Sequence, residues 1–190
     1  MAEPHGPGPA PAALPRTTPS AQGRCWHTVS GLARFALRVA PSDQAVATLQ
    51  SGGVPISPNA CRADQRGDWA ALWLGPDEQL LLGPEREAAA LAARVHQALD
   101  PTPHALVDIS HRQVGIALAS RCAADLLSSG CPLDFDLAAF PVGACTRSVY
   151  AKAEVVLWRR AEQQFHLEAW RSFIPYVAGL LAQAEREFQV

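Results

Sequence analysis

Two Ser-Gly stops, Ser51-Gly52 and Ser129-Gly130, lie 78 positions apart, and each closes a short helix-like stretch that follows a strand-like one. The shift that superimposes them also sets Ala45 on Ala123 and Leu49 on Leu127, so core-facing positions recur along with the stops. A repeated order of elements confines the chain to folds made twice from one unit. Leu32 to Val39 alternates imperfectly between apolar and polar residues and predicts a strand. A helix from Ser42 follows, with Gly52 as its left-handed stop. Trp69 to Leu74 and Gln79 to Leu82 flank Gly75-Pro76-Asp77-Glu78 and predict a hairpin. Between Glu85 and Leu99, Ala88, Leu91, Ala92, Val95 and Leu99 recur at helical spacing, and His104 to Ser110 predicts a closing strand.

The order then starts again. Arg112 to Leu118 is strand-like, and Arg121 to Ser128 is helix-like. A strand region begins at Val149-Tyr150, and Val155 to Trp158 with Phe165 to Trp170 predicts a hairpin around Arg159 to Gln164. Ser172 is placed to cap a last helix whose stripe is Phe173, Val177, Leu180, Leu181, Ala184 and Phe188, with Pro175 tolerated in the first turn. The expected class is α+β: two pseudo-repeated strand-helix-strand-strand-helix units, about 32–110 and 111–190, forming one body. A half of this size would bury too little core alone. Ahead of them, residues 1–22 hold Pro4, Pro7, Pro9, Pro11, Pro15 and Pro19 among small residues, which predicts a disordered tail and leaves 23–190 as a single domain.

A net charge of −2 removes the electrostatic footprint of a protein that neutralises many phosphates, so nucleic acid is not an expected partner. Five cysteines, an odd number with no Cys-x-x-Cys pair, fit reduced thiols and a cytoplasmic location. No apolar run approaches the roughly 20 residues that cross a bilayer, and Met1-Ala2-Glu3-Pro4-His5-Gly6 has no signal-peptide character. Neither Gly-x-Gly-x-x-Gly nor Gly-x-x-x-x-Gly-Lys occurs, so a dinucleotide or a nucleoside triphosphate has no cradle here.

Residues 130–152 gather the most reactive side chains: Cys131, Asp134, Cys145 and Lys152. Cys131 follows a helix C-terminus, whose partial negative charge disfavours a thiolate, so a turn or packing cysteine is expected rather than a nucleophile. Cys122, Cys131 and Cys145 fall on separate elements and His104 and His111 have no helical i, i+4 partner, so no zinc site is expected. Asp108-Ile109-Ser110-His111-Arg112 holds an acid, a hydroxyl and an imidazole, yet no Gly-x-Ser-x-Gly elbow surrounds Ser110. A polar connection is expected there, with Asp108 capping a turn and pairing with Arg112. His166 alternates with Phe165 and Leu167 and is expected on a solvated or interface side. Trp69, Trp73, Trp158 and Trp170 are expected mainly in the core, with one or two anchoring an interface. No catalytic, cofactor-binding or metal-ligating residue is assigned.

Several stretches in order carry a resemblance. Gly130-Cys131-Pro132-Leu133-Asp134, Phe140-Pro141, Gly143-Ala144-Cys145, Lys152, Val155-Val156-Leu157-Trp158-Arg159 and Arg171-Ser172-Phe173, with Trp73-Leu74-Gly75-Pro76-Asp77-Glu78 and Val107-Asp108-Ile109-Ser110, resemble the gamma subunit family of heterotetrameric sarcosine oxidase. Thr146-Arg147-Ser148 departs from that pattern. The resemblance implies a folate-binding-like fold related to the glycine cleavage aminomethyltransferase. It also implies a four-subunit complex that demethylates sarcosine to glycine with tetrahydrofolate as one-carbon acceptor and oxygen as oxidant. FAD, FMN and NAD would belong to the large flavoprotein subunits, and this chain would be a non-catalytic companion that binds no cofactor. The other expectation weighed is a stand-alone folate-binding or aminomethyltransferase-like protein, for which Asp108 and Asp134 are the candidate carboxylates.

Overall fold

A computed structural model describes residues 25–188. The expected Pro-rich tail lies outside the described residues. The first sheet is assembled from β2 (Leu32–Val39), β3 (Ala63–Arg66), β4 (Trp69–Gly75), β5 (Glu78–Pro84) and β6 (His104–Asp108). The second takes β1 (Trp26–Val29), β7 (Gln113–Ala119), β8 (Cys145–Tyr150), β9 (Ala153–Ala161) and β10 (Gln164–Trp170). Strand order is β3-β4-β5-β2-β6 in one and β8-β9-β10-β7-β1 in the other, with every pairing antiparallel. Helices α1 (Asp43–Ser51) and α2 (Ala88–Leu99) belong to the first sheet's side, and α3 (Ala123–Ser128) and α4 (Ile174–Glu185) to the second's.

Strand alternation explains why the sheets face each other. In β2, Ala33, Phe35 and Leu37 join the core under α1 and α2, whereas Leu32 joins a separate cluster between the sheets. In β10, Phe165, Leu167 and Ala169 join the core under α3 and α4. Leu80 and Leu82 of β5 meet Val156 and Trp158 of β9 in the middle cluster, so both faces of these strands are apolar and buried. The result is four layers, helices outside and two sheets within. At one corner the sheets are stitched by main chain: Ala63 N–H donates to the Gly143 carbonyl at 2.8 Å, and Cys145 N–H to that of Cys61 at 2.9 Å.

Several local expectations are corrected. Strands β1 and β3 were not foreseen, and β8 begins at Cys145 rather than Val149. Gly52 is not left-handed: its φ is −74°, and the left-handed residue is Gly53, at +73°. Ser172 does not cap α4, because a short 3-10 turn at Arg171–Phe173 precedes the helix and Phe173 holds the cap position with no side-chain bond. Phe173 and Phe188 leave the apolar stripe and are exposed, while Val177, Leu181 and Ala184 fill the core.

Candidate functional site

The segment from Cys131 to Lys152 folds as a pinned turn followed by an edge strand. Cys131 N–H closes α3 on the Leu127 carbonyl at 2.8 Å, and the buried Cys131 Sγ lies 3.3 Å from Ser148 Oγ. Gly130 is required by close approach, since a Cβ there would stand 2.8 Å from the Tyr150 ring, whose hydroxyl donates to the Leu126 carbonyl at 3.1 Å. Asp134 Oδ1 accepts the Asp136 N–H at 2.8 Å, an Asx turn at the surface. Cys145 is buried, with its Sγ donating to the Trp73 carbonyl at 3.5 Å, and burial pushes its thiol up to about 12. Lys152 is exposed in the β8–β9 turn. These four side chains are not brought together around a common point, and among the described residues no group of three or more His, Cys, Asp or Glu could hold a metal ion.

The Asp108 to Arg112 stretch is a connection in which each polar group has a local task. Asp108 Oδ1 accepts the Ser110 N–H at 2.8 Å, and the Ser110 bonds hold the carboxyl below its ordinary range. Ser110 Oγ accepts the Arg34 N–H at 2.8 Å, tying this connection to β2. Arg112 does not pair with Asp108; its guanidinium lies 5.6 Å over the Trp170 ring. His104 Nε2 lies 2.8 Å from Nδ1 of His96 on α2, a contact across elements rather than an i, i+4 helical pair. Trp69 and Trp158 are buried, whereas Trp170 is exposed.

The main correction is His166. It points away from Phe165 and Leu167 as alternation requires, but that side is covered by the other sheet, so His166 is buried. Its Nε2 lies 2.7 Å from Glu168 Oε1, and Arg34 Nε donates to Glu168 Oε2 at 2.6 Å. Gly115 on β7 leaves the room: a Cβ there would be 2.7 Å from His166 Cε1 and 2.9 Å from Glu168 Oε1. Burial pushes the Glu168 carboxyl up, but the His166 hydrogen bond and charge, with the Arg34 guanidinium, outweigh it and hold it below its ordinary range. Beside this cluster a cavity of about 360 Å³ opens between the sheets, lined in part by Arg38, Glu78, Arg112, Arg147, Glu168 and Trp170. Glu78 is clasped from both sheets, by Arg38 of β2 at 2.8 Å and by Arg147 of β8.

The profile of the sarcosine oxidase gamma subunit family matches residues 39–187. This chain belongs to that family. The sarcosine oxidase subunit gamma of Corynebacterium sp. strain P-1 is 35 % identical over 119 residues, which is 63 % of this chain and only 58 % of that relative's length. A chain of the heterotetrameric sarcosine oxidase from Corynebacterium sp. U-96, solved in complex with pyrrole 2-carboxylate, superimposes with a TM-score of 0.79 at 28 % identity. That match covers 87 % of this chain and 85 % of the other. Aminomethyltransferase T of the glycine cleavage system from Bartonella henselae superimposes with a TM-score of 0.62 at 14 % identity, over 82 % of this chain and 44 % of that one, and shows the fold alone.

Within the gamma family body, the residues missed from sequence are those that organise the buried polar contacts. Arg34 stands between Ala33 and Phe35 in an otherwise apolar strand, and Glu168 stands between Leu167 and Ala169. A charge inside an apolar run was the available signal. Arg159, at the end of the apolar Val155 to Trp158 run, is a third such residue. Its Nη1 donates to the carbonyls of Phe135 at 2.9 Å and Phe140 at 2.7 Å, while its guanidinium lies 4.9 Å over the Phe165 ring. One cation thereby pins the turn that carries the family-like Cys131 to Cys145 stretch.

Proposed function

We propose that this chain is the non-catalytic gamma subunit of a heterotetrameric sarcosine oxidase. The complex demethylates sarcosine to glycine, tetrahydrofolate accepts the one-carbon unit and oxygen is the oxidant. FAD, FMN, NAD and folate are held by the large flavoprotein subunits, and this chain docks on them and stabilises them in the cytoplasm. Membership of the gamma subunit family is the observation that carries this reading.

The carboxylates support it. Glu78 and Glu168, which line the inter-sheet cavity, are bound to Arg38, Arg147 and Arg34, and Asp108 and Asp134 close turns. These four carboxylates already hold partners within the chain, which favours the companion role over the stand-alone folate-binding reading, while Glu154, also on the cavity wall, has no ion pair among the described residues. The chain's 23–190 body is a duplication, with halves about 32–110 and 111–190. The matching strand orders support this, with β1 taking in the second sheet the place that β6 takes in the first.

The test is substitution inside the assembled oxidase. Cys131→Ser and Asp134→Ala are each expected to leave sarcosine turnover within about twofold of wild type wherever assembly is intact. Loss of turnover with intact assembly would assign this chain a part in the chemistry.

A further inference from the structure

Two of the five thiols meet. Cys25 Sγ lies 3.3 Å from Cys122 Sγ, although 97 positions separate them in the chain. The backbone brings this about. β1 pairs antiparallel with β7, and the ladder runs on past Trp26 and Leu118, where Ala119 N–H donates to the Cys25 carbonyl at 2.9 Å. The next turn closes with Ala123 N–H on the Ser120 carbonyl at 3.1 Å and sets Cys122 beside Cys25. From the end of α4, the Glu185 carboxylate accepts the Cys25 N–H. Both cysteines are partly buried on the rim of the core under α3 and α4, which leaves each open in part to a small solute. The other three thiols lie elsewhere: Cys131 Sγ is beside Ser148 Oγ, Cys145 Sγ donates to the Trp73 carbonyl, and Cys61 is exposed.

A disulfide bond is about 2.05 Å long, so the two sulfurs need to approach by only about 1.3 Å to bond. We infer that Cys25 and Cys122 form a dithiol that a hydroperoxide oxidises reversibly to an intramolecular disulfide. This does not rest on the functional reading above. Burial pushes the Cys25 thiol up to about 11, so Cys25 keeps its proton and Cys122 is the attacking group. Ser120 Oγ, 3.1 Å from Cys122 Sγ, is within reach to donate to the thiolate. The Cys122 thiolate attacks one peroxide oxygen: an S–O bond forms, the O–O bond breaks, and the hydroxide or alkoxide released takes up the proton that Cys122 had lost. Cys25 then attacks the sulfenic sulfur: the S–S bond forms, the S–O bond breaks, and water leaves with the Cys25 proton. The two thiols lose two electrons in all, and the peroxide bond gains them. The cross-link joins the start of β1 to the start of α3 and encloses the whole first sheet in one loop, which restricts the unfolded chain. In a reducing compartment disulfides are usually transient links of this kind.

The test uses the purified full chain, reduced and then exposed to hydrogen peroxide at neutral pH, blocked with N-ethylmaleimide and mapped by tandem mass spectrometry. A Cys25–Cys122 link is expected as the main disulfide, reversed by dithiothreitol and unchanged in the Cys61→Ser chain. The cross-linked chain is expected to unfold at a urea midpoint higher by about 1 M. Cys25→Ser is expected to stop at a Cys122 sulfenic acid that dimedone captures, and Cys122→Ser to leave Cys25 reduced.

Cys25 and Cys122 that stay reduced once Cys61 has been oxidised, or disulfides that join other pairs, overturn the inference. The map of the wild-type chain decides even where a serine variant fails to fold.

Discussion

Glu168 is the residue on which the polar interior turns, because it neutralises Arg34 and accepts from or pairs with His166 in a space closed by two sheets. Removing one member of a buried ionic cluster leaves its partner charged and unpaired, which typically costs about 3–5 kcal/mol. Glu168→Gln is expected to destabilise the chain by that amount in urea unfolding at neutral pH. The sign of its pH dependence follows from its depressed carboxyl. A group whose folded value lies below its unfolded one adds stability that is fully present above the ordinary carboxylate range and is lost as pH falls through the lower folded value. The wild-type chain should therefore lose stability steeply on the acid side, and Glu168→Gln should flatten that limb. The cysteines make a second expectation at this scale. Cys61 is exposed, whereas Cys131 and Cys145 are buried, and the Cys145 thiol is pushed up to about 12. Iodoacetamide should label Cys61 first, with Cys131 and Cys145 reacting only on unfolding; rapid native labelling of Cys145 would contradict its packed position.

At the scale of elements, the turn between α3 and β8 depends on two contacts that span it. Arg159 holds the carbonyls of Phe135 and Phe140, and Gly130 admits the Tyr150 ring. Arg159→Ala strands two carbonyls and is expected to cost about 3 kcal/mol. Gly130→Ala forces a Cβ onto the ring and is expected to cost about 1–3 kcal/mol. Both are read by thermal or urea unfolding. The helices and hairpins were legible in the sequence because each carries its own periodicity: Leu91, Val95 and Leu99 mark α2, and Gly75-Pro76-Asp77 marks the β4–β5 turn. Strand β3, Ala-Asp-Gln-Arg, was not legible, since its place is set by pairing with β4 and by the main-chain stitch near Gly143 rather than by apolar alternation. His166 was misassigned for a related reason. Alternation gives the side of a strand on which a residue lies, but only the packing of the second sheet makes that side an interior one.

At the scale of the whole molecule, two antiparallel sheets packed face to face, with helices outside, leave little reactive chemistry exposed. The candidate residues of the 130–152 stretch are spent on turns and packing, and two of the cavity carboxylates, Glu78 and Glu168, are clasped by arginines. Membership of the gamma subunit family was legible from ordered motifs such as Gly130-Cys131-Pro132-Leu133-Asp134, whereas the charged contacts between the sheets were not, because their partners lie up to 134 positions apart. The central claim is that this chain serves a sarcosine oxidase without performing its chemistry. Sarcosine-dependent oxygen uptake tests it most directly, measured for the chain expressed alone and for the complex purified after co-expression with the other oxidase subunits. The expected result is no uptake by the isolated chain and full uptake by the complex with the chain bound. Turnover by the isolated chain, or a fully active complex from which the chain is absent, would contradict it.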